Sequence, residues 1–134
     1  MNILVIDDLP EFKAQITLEE LKELGINLQE KYIVSVNSAI RYIFSNYSAI
    51  DLIILDLGLP IMDDSFEMNE LNGLMVLSFL VRKKIYIPVV INSTTTIPNE
   101  NEVLEDYTAK GLNVCHTKKL TADWLYSYIQ TNCH

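Results

Sequence analysis

A chain of 134 residues has room for one domain with a core of its own. With 49% apolar and 21% charged residues it has the profile of an ordinary globular protein, and no apolar run approaches the ~18 residues of a membrane span. Ten basic against eighteen acidic side chains leave a net charge of −8, which argues against direct nucleic-acid binding and suits a metal cation or a basic protein surface.

The N-terminal stretch "MNILVIDD" lacks a positive region and carries two acids where a signal peptide has small residues, so a cytoplasmic location is expected. Cys115 and Cys133 are too few for a disulfide framework. The Cys115-His116 and Cys133-His134 pairs have no spacing that matches a zinc finger.

In chain order, the apolar run "NILVIDD" predicts a first strand that ends in Asp7 and Asp8. A helix is expected over 10–24, with Pro10 in its first turn, Phe12, Ile16, Leu21 and Leu24 on one face, and Gly25 as its stop. "YIVSV" (32–36) reads as a second strand and 38–47 as a short helix carrying Ile40, Ile43 and Phe44. "DLIIL" (51–55) is the third strand, followed by a long loop over 57–72 and a helix over 73–84 with a basic end that suits the helix dipole. Pro88 opens the fourth strand, "PVVIN", which is tolerated at a first strand position. After a polar loop, Asn99 and Glu102 have capping-box spacing before a helix over 102–110 that Gly111 closes. "NVCHT" (113–117) is the fifth strand, and Thr121 is placed to cap a last helix holding Trp124, Leu125, Tyr128 and Ile129. No repeat, linker or low-complexity tract interrupts the chain.

Five strands alternating with five helices imply βαβ units and a parallel sheet. Near-continuous Ile, Leu and Val in strands one, three and four fit strands covered on both faces, a doubly wound α/β fold. Right-handed crossovers then bring every strand's C-terminal end to one edge, where such sheets bind ligands. Asp7 and Asp8 arrive there from the first strand and Asp56 from the third. Two unit charges ~5 Å apart at an effective dielectric of ~20 repel by about 3 kcal/mol, so a proton or a cation belongs among them. Mg²⁺, a hard ion that takes oxygen ligands, fits such a set. Strand four brings Ser93, a hydroxyl able to bond a phosphoryl oxygen, and strand five brings Lys118, a point charge able to hold phosphate.

Taken together, the pair Asp7-Asp8, the block "LDLGLP" around Asp56, "PVVINS" ending in Ser93, and Lys118 resemble the receiver domains of bacterial response regulators, over essentially the whole chain. The resemblance implies a flavodoxin-like (βα)5 fold with strand order 2-1-3-4-5, a single domain over 1–134 and no output domain. It implies that Asp56 is a phosphoacceptor, taking its group from a sensor histidine kinase or phosphotransfer protein. Mg²⁺ would be held by Asp8, Asp56 and the Gly58 carbonyl, with Asp7 acting through water, while Ser93 and Lys118 would bind the phosphoryl oxygens. It further implies signalling through a downstream protein or separate output domain, a homodimer as an option, and no enzymatic turnover beyond self-phosphotransfer and autodephosphorylation.

The chain departs from the family pattern at several positions. Lys119 stands where the family has a proline in a cis bond after the lysine; a cis bond without proline costs ~3 kcal/mol, so a trans peptide with a shifted Lys118, or a strained bond, is expected. Cys115 stands three residues before Lys118, where the family has its switch aromatic, leaving Tyr107 or His116 as rings to replace it. Thr94 replaces the usual small residue after the hydroxyl and would crowd the phosphoryl group, slowing transfer or hydrolysis. The loop 57–72 is longer than usual and carries Asp63, Asp64, Glu67 and Glu70, as a solvated excursion or as a partner-recognition element or lid. Two rival readings are a degenerate receiver that works by protein contact without phosphorylation, and a hydrolase of the haloacid dehalogenase type. The hydrolase family has a second Asp two residues after its nucleophile, where this chain has Gly58.

Overall fold

The computed structural model describes residues 1–9, 14–64 and 68–133. The strands β1 (Asn2–Ile6), β2 (Gln29–Ile33), β3 (Leu52–Leu55), β6 (Val89–Asn92) and β7 (Val114–Thr117) form one parallel sheet in the order β2-β1-β3-β6-β7. This is the expected order 2-1-3-4-5, because β4 (Leu59–Pro60) and β5 (Met68–Asn69) only pair with each other as a small antiparallel hairpin inside the long loop.

Two apolar layers cover the sheet, which explains why its central strands are apolar without alternation. On one face, Ile3, Val5, Ile54 and Val90 pack with α1 (Ala14–Glu23) and α5 (Ala122–Asn132). On the other, Leu4, Ile6, Ile53, Leu55 and Ile91 pack with α2 (Val36–Asn46) and α3 (Leu74–Lys83), and with Val103, Leu104 and Tyr107 of α4 (Glu100–Ala109).

Several element boundaries and faces differ from the sequence expectation. Helix α1 buries Ala14, Thr17, Leu18 and Leu21, while Ile16 is 55% exposed and Leu24 is also exposed. Both stripes have helical spacing; packing against Leu125 and Ile129 of α5 selects the one with the smaller side chains. Pro10 and Phe12, the expected start of this helix, lie outside the described residues, as do Glu67 of the loop and His134.

Strand β2 ends at Ile33 and the next helix starts at Val36, earlier than "YIVSV" suggested, because the Ser35 hydroxyl accepts a hydrogen bond from Ser38 N and caps α2. Phe44 is 61% exposed, on the outer face of α2. Asn99 does not cap α4: its backbone is left-handed (φ 53°) and its side chain makes no capping bond. Thr121 does cap α5, accepting from Trp124 N at 3.2 Å, and Gly111 closes α4 at φ 102°, a conformation that glycine adopts without cost.

The loop 57–72 is fastened at several points. Asp63 accepts hydrogen bonds from the Ser35 and Ser38 hydroxyls at the start of α2, which hold its carboxyl below the usual range. Asn72 donates to the Leu59 carbonyl at 2.8 Å, and Asn37 N donates to the Ile61 carbonyl at 2.9 Å.

Candidate functional site

The register across β1, β3 and β6 sets the site. Ile6 pairs with Leu55, and Leu55 with Ile91, so Asp7, Asp56 and Asn92 stand level, one residue further along three adjacent strands. Side chains alternate along a strand. Val5, Ile54 and Val90 face the α1/α5 layer, so two residues on, Asp7, Asp56 and Asn92 emerge on that same side. Backbone bonds extend the ladder to this level: Asp56 N donates to the Ile6 carbonyl at 2.8 Å and Asp7 N to the Ile33 carbonyl at 3.0 Å.

The three acids do converge. Asp7, Asp8 and Asp56 each offer a carboxylate oxygen, and those oxygens lie within 4.8 Å of one another. They line a cavity of about 240 Å³ together with Gly58, Asn92 and Ser93. Asp7 is only 7% exposed. Burial pushes its carboxyl up to about 6, assisted by the charges of Asp56 and Asp8 and opposed by the Leu9 N–H, which donates to Asp7 Oδ1 at 2.9 Å. Burial also raises Asp56, opposed by hydrogen bonds from the Ser93 hydroxyl and from the Gly58 and Leu57 N–H groups. Three close carboxylates, two of them reluctant to ionise, suit a hard divalent cation, whose charge would reverse that reluctance. The oxygen-only donor set fits Mg²⁺ better than a softer transition metal.

The remaining candidates separate. Ser93 is buried at the site; its Oγ also accepts from Thr95 N at 3.2 Å. Thr94 lines the same cavity and is exposed. Lys118 does not line it. Both Lys118 and Lys119 line a second cavity beside α1, with Ile16, Thr17 and Glu20. The turn that takes them there is closed by Thr117, whose Oγ1 donates to the Lys119 carbonyl at 3.0 Å and accepts from Lys119 N at 3.3 Å. No described peptide bond is cis, so the 118–119 bond is trans, in keeping with the expected shift of Lys118.

The ring that faces α4 is His116, one of the two rings the sequence offered in place of an aromatic at Cys115. Cys115 points into the opposite layer against Tyr128, where burial raises its thiol to about 11. His116 is level with Ile91, and its side chain is 3% exposed. Its Nε2–H donates to the Ser93 carbonyl at 2.8 Å, and its Nδ1 lies 2.5 Å from Glu100 Oε1 in the first turn of α4. One imidazole thus ties the Ser93 backbone to α4.

Two residues gain importance from the tertiary structure. Asn92 stood in the sequence only as the ragged end of "PVVIN"; a polar residue closing an apolar strand was the available signal. Gly73 gave no signal. It sits where the start of α3 meets the Asp56 backbone, its N–H donating to the Leu57 carbonyl at 2.8 Å. A Cβ there would collide with the Asp56 carbonyl oxygen and lie 2.7 Å from Leu57 Cα.

No protein-family model and no curated protein sequence matches the chain. Solved structures do. The signal receiver domain of a repressor protein from Vibrio parahaemolyticus is 22% identical, with a TM-score of 0.69, covering 98% of this chain and 88% of that one. The receiver domain of a Francisella response regulator is 23% identical, with a TM-score of 0.67, covering 97% and 93%. A complex of CheX with CheY, BeF3 and Mg from Borrelia burgdorferi gives 20% identity and a TM-score of 0.65, covering 98% and 88%. The chain therefore has the flavodoxin-like fold of response-regulator receiver domains.

Proposed function

We propose that this chain, with the fold of a response-regulator receiver domain, is a phosphoacceptor in which Asp56 takes a phosphoryl group from the phosphohistidine of a sensor kinase or phosphotransfer protein. The observation that carries the reading is the meeting of Asp7, Asp8 and Asp56, their carboxylate oxygens within 4.8 Å of one another, in a cavity that the buried Ser93 also lines. Asp8, Asp56 and the Gly58 carbonyl would hold Mg²⁺, with Asp7 acting through water; the ion, when bound, supplies charge neutralisation. The protein's own part is positioning, which in-line phosphoryl transfer chiefly needs. A stiff strand aims Asp56, and the Ser93 hydroxyl with the Gly58 and Leu57 amides stabilises the carboxylate that must attack.

The family's lysine stands three residues after its switch ring, and with the ring at His116 that position is Lys119. Whichever of Lys118 and Lys119 serves, its ammonium has to swing in from beside α1. His116 then offers a route outward, since movement of the Ser93 backbone toward a phosphoryl group pulls on the first turn of α4. The output of that movement is an altered protein contact, with a downstream partner, a second copy of the chain or a separate output domain.

A second reading is an interaction module that never accepts phosphate, favoured by the placement of both lysines in the other cavity. Intact mass after incubation with a small phosphodonor and Mg²⁺ separates the two. The phosphoacceptor gains the mass of one phosphoryl group, and Asp56→Asn abolishes the gain. A wild type that gains nothing counts against the phosphoacceptor and for the second reading.

A further inference from the structure

Asn92 is 4% exposed, and among the described residues neither its Oδ1 nor its Nδ2 has a hydrogen-bond partner. Such groups are rare, because a buried carboxamide that has lost water and gained no partner lowers stability. An apolar side chain in its place would suit the Val89–Ile91 run that precedes it. The orphaned amide lies in the acid cavity, level with Asp56 on the side away from Asp7. The acids therefore stand on one side of Asp56 and a neutral donor on the other.

We propose that Asn92 is a phosphoryl-binding residue, whose Nδ2–H donates to an oxygen of the group carried by Asp56. This inference rests on the phosphoacceptor reading and adds a residue to it. A phosphoryl group presents acceptors only, so of the two carboxamide atoms Nδ2 is the one that can meet it. With both lysines lining the other cavity, Asn92 joins Ser93 as a buried donor beside Asp56. Among the described residues its Nδ2 donates to none of the three carboxylates, and so is available when a phosphoryl group arrives. The unpaired amide is then the stability cost of a site prepared for its ligand.

The test compares wild type with Asn92→Leu, close to Asn in shape, and Asn92→Ala, which adds no bulk if the leucine variant fails to fold. Two quantities are measured: the melting temperature without metal, and the affinity for beryllofluoride with Mg²⁺ as a phosphoryl analogue, taken where all proteins are folded. Asn92→Leu is expected to melt at a higher temperature, because no polar group is left orphaned. Both variants should bind beryllofluoride ~10- to 100-fold more weakly, the loss of one hydrogen bond to a charged group. Unchanged affinity in both variants, with normal binding by wild type, removes the inference and spares the phosphoacceptor reading. Weaker binding that comes with a lower melting temperature in both variants also overturns it, since the carboxamide is then holding the fold. If wild type binds no beryllofluoride and gains no phosphoryl group, the phosphoacceptor reading fails and this inference with it.

Discussion

Replacing Asp7 by Asn should make the metal-free protein more stable, by an amount that depends on pH. The Asp7 carboxyl is raised from 3.8 to about 6, first by burial and then by the charges of Asp56 and Asp8. A carboxyl raised in the folded state favours folding while it is protonated, and opposes it once both folded and unfolded forms are ionised. Its contribution is therefore favourable below 3.8 and is lost as pH rises through 6. At pH 7.5 the wild type has lost about 3 kcal/mol on this account, and at pH 4.5 about 1 kcal/mol. The Asp7→Asn side chain is nearly isosteric, and its Oδ1 can still accept from the Leu9 N–H that bonds Asp7. Urea unfolding with a chelator present should show the Asp7→Asn variant ahead by ~2–3 kcal/mol at pH 7.5 and by ~1 kcal/mol or less at pH 4.5. Mg²⁺ should narrow the gap at pH 7.5, because an ion bound to the folded wild type stabilises it by about 2.7 kcal/mol at a hundred times its dissociation constant. A variant no more stable than wild type at pH 7.5, or a gap that does not shrink on acidification, would refute the account of the acid cluster.

Gly73→Ala drives a methyl group against the Asp56 carbonyl oxygen and Leu57 Cα; overpacking of this kind costs ~1–3 kcal/mol. Denaturant titration should show that loss together with slower phosphoryl uptake, and uptake at the wild-type rate would mean that the contact does not position Asp56. Thr121→Ala removes the side-chain cap of α5 at Trp124 N, and thermal melting should register a loss of ~1 kcal/mol with phosphoryl uptake unaffected.

The order of elements, the parallel sheet and the acid edge were legible in the sequence. Apolar runs that stop on Asp7 and Asp56 mark both where strands end and what they deliver, and parallel strands deliver to one edge. The sequence could not state which way a given residue faces. The short strand β7, with one buried residue, has no clear polar–apolar alternation to read, so which residue faces α4, Cys115 or His116, depended on the pairing of β7 with β6. The same pairing logic put Asn92 in line with Asp56, while Gly73 and the lysines depended on contacts between segments distant in the chain. Local composition fixes what each segment is; the phase of a strand, the chosen face of α1 and the close approach at Gly73 are set only when the layers pack, because only then does one of several equally periodic arrangements exclude the rest.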